Sequence, residues 1–194
     1  MARAIATPFT GDAEADRLLS SNGFALLVGM LLDQQVPMEW AFRGPLELKR
    51  RLGELDAPVI AAMKPDAVVE IFVAKPALHR YPASMARRVH ELALFIVEHY
   101  EGKAERIWKG VADPAELFRR LRELPGYGQQ KAQIFLAILG KRLTVAPAGW
   151  EELAGNYGLP GHRSIADVDG PGAVDKVRTY KQEMKAKAKA ATAK

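Results

Sequence analysis

The sequence predicts an all-α protein. Apolar residues recur at helical spacing along most of the chain, and no segment alternates apolar and polar residues as a half-buried strand does. Glycine and proline interrupt these apolar stretches where helices are expected to begin and end. Because 48% of the 194 residues are hydrophobic, the chain can form a core without covalent cross-links, as one large domain or two small lobes.

The first half of the chain is a succession of predicted helices. They cover residues 12–21, 24–33, 37–46, 47–52, 58–63, 66–74 and 83–100. Asn22 and Gly23 separate the first two, and the second is apolar until its end, which predicts burial on all sides. Gly44 and Pro45 divide residues 37–46 from 47–52, because proline removes a helical hydrogen bond.

Two helices that flank a short turn dominate the second half. Asp113 and Pro114 are typical of a helix start, and the apolar residues that follow lead into a turn at residues 124–128. A second helix is predicted from Gly128 to Leu139, with Gly140 as its C-cap. Further helices are predicted over residues 147–156 and from residue 174 onwards, with a glycine-containing loop between them.

The basic charge is concentrated at the C-terminus. Residues 176–194 hold seven of the 28 Lys and Arg residues and one of the 23 Asp and Glu residues, so residues 1–175 carry a net charge of −1. A lysine-rich end is typical of contact with phosphates and equally of a solvated, frayed terminus. Charge alone therefore does not predict a nucleic-acid partner.

Composition and spacing exclude several classes of protein. The absence of cysteine removes disulfides, iron–sulfur clusters and thiolate zinc sites, and the four histidines lack ligand spacing, so we expect no metal site built from side chains. The acidic N-terminal region is unlike a secretory signal, and the longest strongly apolar run, residues 24–32, is too short to span a membrane. We expect a cytoplasmic, nucleoid-associated monomer without membrane contact.

The turn at residues 124–128 has the composition of an anion site. Its sequence is Leu-Pro-Gly-Tyr-Gly, in which glycine permits positive φ and a close approach to the backbone. The N–H groups of Gly126 and Gly128, with the start of the next helix, can then point together at a phosphate. Lys131 adds a cation in the first turn of that helix. The alternative is an ordinary tight turn between two helices.

Residues 124–139 resemble the hairpin of the HhH-GPD superfamily of base-excision DNA glycosylases, of which endonuclease III is the best known member. Residues 31–35, Leu-Leu-Asp-Gln-Gln, are similar to the family segment that ends in a Gln filling the gap left by a flipped base, and the matching residue is Gln35. Residues 79–89 resemble the helix start where the family carries Phe/Tyr-x-x-Lys-Ala. The resemblance covers residues 24–150.

This resemblance implies two helical lobes with a double-stranded DNA cleft between them. One lobe, residues 24–135, is a six-helix barrel that ends in the helix-hairpin-helix motif; the other combines residues 1–23 with 136–194 and its basic tail. The resemblance also implies that main-chain carbonyls of the hairpin can hold a monovalent cation, with no other cofactor. The implied DNA-contact residues are Gln35, Gly126, Tyr127, Gly128, Gln130 and Lys131.

The chain departs from the family at both catalytic positions. Bifunctional members carry a Lys two residues after the second hairpin Gly, and this position is Gln130, which cannot form a Schiff base. Lys131 would point about 100° away on the helix. The catalytic Asp is expected at residue 148, which is Ala. The sequence therefore argues against strand cleavage through a Schiff base.

Two carboxylates are candidates for the missing acid. Glu151 lies three residues from the expected position and Asp33 precedes the Gln pair. Each has a structural alternative, Glu151 as a helix-dipole partner and Asp33 as a helix end. Asp167 and Asp169 lie in the late loop, where turn residues are expected. For a base pocket, the candidates are Trp40 and Trp150, with core packing as the alternative for both.

Three functions remain open at this point. The first is a monofunctional DNA glycosylase that hydrolyses the N-glycosidic bond of a damaged base. The second is a non-catalytic DNA-binding or lesion-sensing protein on the same scaffold. The third, a helical interaction module, requires the similarity of the hairpin to be accidental.

Overall fold

The computed structural model describes residues 6–192, with side chains through residue 190. These residues form ten α-helices: α1 Ala13–Ser21, α2 Gly23–Leu32, α3 Met38–Leu52, α4 Ala57–Ala61, α5 Pro65–Val73, α6 Pro82–Tyr100, α7 Pro114–Glu123, α8 Gln129–Ile138, α9 Trp150–Ala154 and α10 Ala173–Thr192. Short 3₁₀ turns cover Ala104–Ile107, Gly155–Tyr157 and Ile165–Asp167. No strand occurs between residues 6 and 192, so the all-α prediction is confirmed for the part that the structure describes.

Helix α2 is the centre of the hydrophobic core. All ten of its residues are buried, as the uniformly apolar sequence predicts, and α1, α3, α6 and α8 pack around it. The close approach of α2 to α3 requires glycine at position 29, because a Cβ added there would lie 2.7 Å from the Phe42 ring. The two-lobe division at residues 23 and 135 stays a prediction, since the buried residues from Phe9 to Val177 form one hydrophobic cluster.

The predicted break at Pro45 is wrong. Residues 38–52 form one continuous helix, α3, with Pro45 inside it. Phe42, Gly44 and Leu46 are buried, and a Cβ at Gly44 would lie 2.6 Å from Leu32 Cδ1. The apolar face that α3 buries against α2 thus continues across the proline, and this burial outweighs the loss of one helical hydrogen bond.

The predicted helix end at Gly140 is also wrong. A π turn, Leu139–Leu143, continues α8 through Gly140, and the left-handed residue that ends it is Thr144, with φ 54°. Gly140 serves packing instead, because a Cβ there would lie 2.2 Å from the Trp150 ring. Glycine at this position therefore reflects an indole packed against the helix backbone rather than a helix cap.

No helix among the described residues has the length and apolar character needed to cross a membrane.

Candidate nucleic-acid interface

Gly126 allows the turn between α7 and α8 to pack closely against α2. Its φ is +80°, a left-handed conformation that favours glycine, and a Cβ there would lie 2.5 Å from Leu31 Cδ1. The Tyr127 N–H donates to the Leu124 carbonyl at 3.0 Å and closes the turn. Glycine is therefore required at 126 both for backbone conformation and for the contact with α2.

The side chain of Tyr127, one of the predicted DNA-contact residues, belongs to the core, and its contact with DNA stays a prediction. The ring is 4% exposed and packs edge-on against Phe135. Its hydroxyl donates to the Leu27 carbonyl at 2.7 Å, and burial raises the pKa of the phenol well above its ordinary value. The side chain anchors the turn to α2 and offers no surface to a ligand.

Gly128 faces solvent at the start of α8. It is the N-cap of that helix, with φ −73° and ψ 177°, and no side chain caps the first turn. Gly128, Gln129 and Gln130 are all exposed, and a Cβ at Gly128 would meet nothing within 4 Å. The first N–H groups of a helix lack intrahelical partners, so this end of α8 can receive an anion.

Beside the turn lies a cleft of about 690 Å³. Its walls come from the end of α2 with the loop that follows, from α8, from the segment after α9, and from α10. Of the predicted site residues, Asp33, Gln35, Gln130 and Lys131 all line this cleft. The structure thus brings together residues that stand about a hundred positions apart in the sequence.

Lys131 is directed at the end of α2. Its ammonium group donates to the carbonyls of Met30, Leu31 and Asp33, the latter two at 3.2 Å. A cation is favourable at a helix C-terminus, where carbonyls lack intrahelical donors. Burial lowers the pKa of Lys131 to about 8, although the nearby Asp33 carboxylate opposes this shift. In this structure the Lys131 ammonium group thus makes a contact between helices, and its contact with phosphate stays a prediction.

Asp33 presents a carboxylate to the cleft. It is partly buried at the C-cap of α2, and no residue between 6 and 190 donates a hydrogen bond to its side chain. Burial raises the pKa of Asp33, while the cations Lys181 and Lys131 oppose the rise. The acid is thus partly desolvated, without a hydrogen-bond partner among these residues, and flanked by positive charge, as is common for functional carboxylates.

The loop after Asp33 is held in an unusual conformation. Gln35 is exposed and has φ 54°, which is uncommon for residues other than glycine. The Tyr81 hydroxyl donates to Gln35 Oε1 at 3.2 Å, and Arg88 donates to Gln34 Oε1 at 3.1 Å. Positive φ outside glycine clusters at functional sites, where surrounding contacts maintain the strain.

His79 holds the same loop through hydrogen bonds to backbone groups. It is buried, and its Nδ1 accepts the Tyr81 N–H at 3.0 Å. The proton of the neutral ring is then on Nε2, which lies 3.1 Å from the carbonyls of both Leu32 and Gln34 and donates to them. Burial lowers the pKa of His79, which keeps the ring neutral. His79 and Tyr81 lie in the segment that resembles the family helix start.

The opposite wall of the cleft is made of residues that the sequence did not predict. Gln130 Nε2 donates to the Tyr157 hydroxyl at 2.8 Å. Arg163 donates to Asn156 Oδ1 at 2.5 Å and to the Tyr180 hydroxyl at 3.0 Å. Tyr157 and Tyr180 thus supply the aromatic rings of the cleft. One sequence signal could have identified part of this wall. Tyr180 and Lys181 lie three and four residues after Val177, which is buried, and this helical spacing places them on the same side of the basic C-terminal helix.

Three of the four predicted catalytic and base-pocket residues lie away from the lining of this cleft. Glu151 is exposed on α9, and Trp40, 43% exposed on α3, does not line the cleft either. Trp150 packs on Gly140. Asp167, one of the late-loop acids, is a structural residue that accepts Lys141 Nζ at 2.6 Å and the N–H of Ser164 at 3.0 Å. Asp33 is therefore the predicted acid that shares the cleft with Gln35.

Residues 6–190 contain no cluster of three or more His, Asp or Glu side chains placed to hold a metal ion. The monovalent cation expected at the carbonyls of the 124–128 turn stays a prediction.

Comparison of the chain with protein-family models, with curated proteins and with solved structures gives no match. The similarity to HhH-GPD glycosylases thus depends on the local residues quoted above, and its functional content is a proposal.

Proposed function

We propose that this protein is a base-excision DNA repair enzyme, a monofunctional DNA glycosylase that hydrolyses the N-glycosidic bond of a damaged base. The observation that supports the proposal is the meeting of Asp33 and Gln35, on the loop after α2, with Gln130 of α8 around one cleft beside the exposed N-terminus of α8. In this proposal the α7–α8 pair is a helix-hairpin-helix that binds the duplex backbone. The cleft receives the extruded nucleoside.

The proposed contact with DNA is made by the backbone. The exposed amides at the start of α8 bind a phosphate, which positions the duplex without reading its sequence. Gln35, whose side chain accepts a hydrogen bond from Tyr81, enters the gap that the extruded base leaves. The rings of Tyr157 and Tyr180 offer π-faces and hydroxyls to the base inside the cleft.

Asp33 has the catalytic role in this proposal. As the N-glycosidic bond breaks, the base departs with the bonding electron pair and positive charge develops on the sugar. An ionised Asp33 stabilises this charge and accepts a proton from the water that attacks the sugar carbon. Since burial raises the pKa of Asp33, we expect base release to fall as the pH approaches a value above the ordinary 3.8 of an aspartate.

Excision without strand cleavage follows from the groups on α8. Gln130 cannot form a Schiff base, and the Lys131 ammonium group is engaged by the three carbonyls at the end of α2. Burial lowers the pKa of Lys131 to about 8, which raises the neutral, nucleophilic fraction of this amine at neutral pH relative to an ordinary lysine. Borohydride trapping on an abasic duplex tests this point, and a covalent adduct at Lys131 would contradict the monofunctional proposal.

The main test is base release from duplexes that each carry one lesion: uracil, 8-oxoguanine or alkyladenine. A duplex with an abasic site, which has no base to release, is the control for strand cleavage. Asp33→Asn keeps the size of the side chain and is expected to lose release by about 10²-fold or more, while duplex binding persists. Glu151→Gln is the matched control, an exposed acid outside the cleft, and is expected to retain release. No release by the wild type across the panel would refute the glycosylase.

The alternative is a non-catalytic DNA-binding protein, favoured by the absence of an acid at residue 148. Both proposals require the protein to bind double-stranded DNA, so binding measurements test them together. Gly128→Ala places a methyl group where the phosphate would approach and is expected to weaken duplex binding. Gly170→Ala is the control, since a Cβ there also meets nothing within 4 Å and Gly170 does not line the cleft. Equal affinities of the two variants would contradict phosphate binding at the turn.

A further inference from the structure

The cleft beside the α7–α8 turn carries more positive than negative side chains. Three of its lining residues are cations: Lys131, Arg163 and Lys181. Among the described residues that line it, Asp33 is the only acid. Glu39 acts on the Asp33 carboxylate from outside the lining, and it is paired with Arg178. A cleft with this balance favours a ligand that is neutral or gains negative charge, and it disfavours a cationic one.

Neighbouring groups fix the position of the Arg163 guanidinium group. Its Nε donates to the Pro160 carbonyl at 3.0 Å, and its Nη1 donates to Asn156 Oδ1 and to the Tyr180 hydroxyl. The guanidinium carbon lies 5.5 Å from the centroid of the Tyr180 ring, within the range of a cation–π contact. The cation is therefore in place before a ligand enters the cleft.

The charge of Arg163 is not neutralised by an acid. Its hydrogen-bond acceptors are all uncharged, and no ion pair among residues 6–190 includes it. Asp167 accepts the main-chain N–H of Arg163 at 2.8 Å, but its ion pair is with Lys141. The second terminal nitrogen, Nη2, donates to no residue in this part of the chain and is not sealed from solvent. A charged donor is thus available to a ligand of the cleft.

We propose that Arg163 stabilises the departing base, and that the substrates are therefore neutral bases with a carbonyl oxygen, of which uracil is the simplest. This role rests on the proposed function, because it takes an extruded nucleoside as the occupant of the cleft. When the bond between the sugar and a neutral base breaks, the base keeps the electron pair and becomes an anion. Its carbonyl oxygens share that charge, and a guanidinium donor that is already in place stabilises it as it develops.

Excision of uracil requires only water and Asp33 besides this donor. The water oxygen bonds to the sugar carbon and the water proton passes to Asp33, which returns it to solvent. The uracil anion takes up a proton from solvent after release. A purine alkylated at a ring nitrogen behaves differently, because it is cationic before the bond breaks and departs as a neutral molecule. No negative charge then develops for Arg163 to stabilise, and the cations of the cleft oppose binding.

The test measures base release from duplexes that carry uracil, 5-fluorouracil or 3-alkyladenine, with the protein in excess. Arg163→Gln removes the charge, and Arg17→Gln is the matched control, an exposed arginine on α1 that does not line the cleft. Arg163→Gln is expected to lose uracil release by about 10²- to 10³-fold, the effect of removing one donor to developing negative charge. The loss is expected to be smaller for 5-fluorouracil, because fluorine withdraws electrons and its anion needs less stabilisation. Arg17→Gln is expected to retain release.

The three bases separate the role of Arg163 from a role in folding. Equal losses on uracil and 5-fluorouracil would mean that the side chain only supports the fold, and would overturn its role toward the departing base. Wild-type protein that releases 3-alkyladenine but neither uracil nor 5-fluorouracil would overturn the substrate class and leave the proposed glycosylase intact. No release of any base by the wild type would refute the proposed function itself. Thermal melts check that both variants are folded at the assay temperature.

Discussion

Gly126 and Gly128 stand two residues apart, and alanine is predicted to destabilise the fold at the first and to leave its stability nearly unchanged at the second. At Gly126 the left-handed φ of +80° costs an alanine about 1–2 kcal/mol. The added Cβ would also lie 2.5 Å from Leu31 Cδ1, whose side chain is fully buried. Overpacking of this kind costs about 1–3 kcal/mol. Gly126→Ala should therefore reduce the free energy of unfolding by roughly 2–5 kcal/mol.

Gly128→Ala should change the free energy of unfolding by less than about 0.5 kcal/mol. Its φ of −73° is open to alanine, and the methyl group meets nothing within 4 Å. Thermal melts measure both effects: for a chain of this size, the loss at Gly126 corresponds to a fall in Tm of roughly 4–20 °C. Leu31→Val, which removes the contacting methyl group, tests the steric part in a double-mutant cycle with Gly126→Ala. A coupling energy near zero would refute the contact with Leu31 as a cause of the loss.

Three further predictions concern the residues that support the cleft. Tyr127→Phe should reduce the free energy of unfolding by about 1 kcal/mol, since it removes one buried hydrogen bond, and a denaturant titration with unchanged Cm would contradict this. Asp167→Ala should cost roughly 3–5 kcal/mol in the same titration, because it leaves the largely buried Lys141 ammonium group without its carboxylate; an effect below about 1 kcal/mol would mean that the pair is solvated. The lowered pKa of His79 means that the unfolded chain takes up a proton, as pH falls through the ordinary value of 6.5, before the folded protein does. The free energy of unfolding should then fall as pH is lowered from 7 to 5, and a Tm profile equally steep in His79→Gln would exclude His79 as the cause.

The sequence predicted the helices whose signals are local. Asp113 caps α7 through a hydrogen bond from the Ala115 N–H at 3.0 Å, and α2 is buried on all sides as its composition indicates. The two errors, at Pro45 and Gly140, have one physical origin. Proline and glycine normally end a helix, yet Pro45 and Gly140 both lie inside one. In each case a distant side chain packs against a glycine: Leu32 against Gly44, the neighbour of Pro45, and Trp150 against Gly140. Such long-range contacts leave no trace in the spacing of neighbouring residues.

The cleft could be predicted only in part for the same reason. Asp33, Gln35 and Gln130 were identified from short segments, and their meeting in one cleft follows from the packing of α2 against α8. Tyr157 and Arg163 come from a loop that has no periodic pattern. The direction of the Lys131 side chain could not be predicted from neighbouring residues either, since its partners are carbonyls about a hundred residues earlier in the chain.

Helix α2 is held at both ends by charged groups from elsewhere in the chain. Glu105 accepts the Gly23 N–H at 2.6 Å at one end, and Lys131 donates to the last carbonyls at the other. An anion at the amino end and a cation at the carboxyl end both oppose sliding of the helix along its axis. The helix is about 15 Å long, so any force that a ligand of the cleft exerts on Asp33 or Gln35 is resisted on the far side of the core. Glu105, which does not line the cleft, thus contributes to holding the cleft floor from the opposite end of α2.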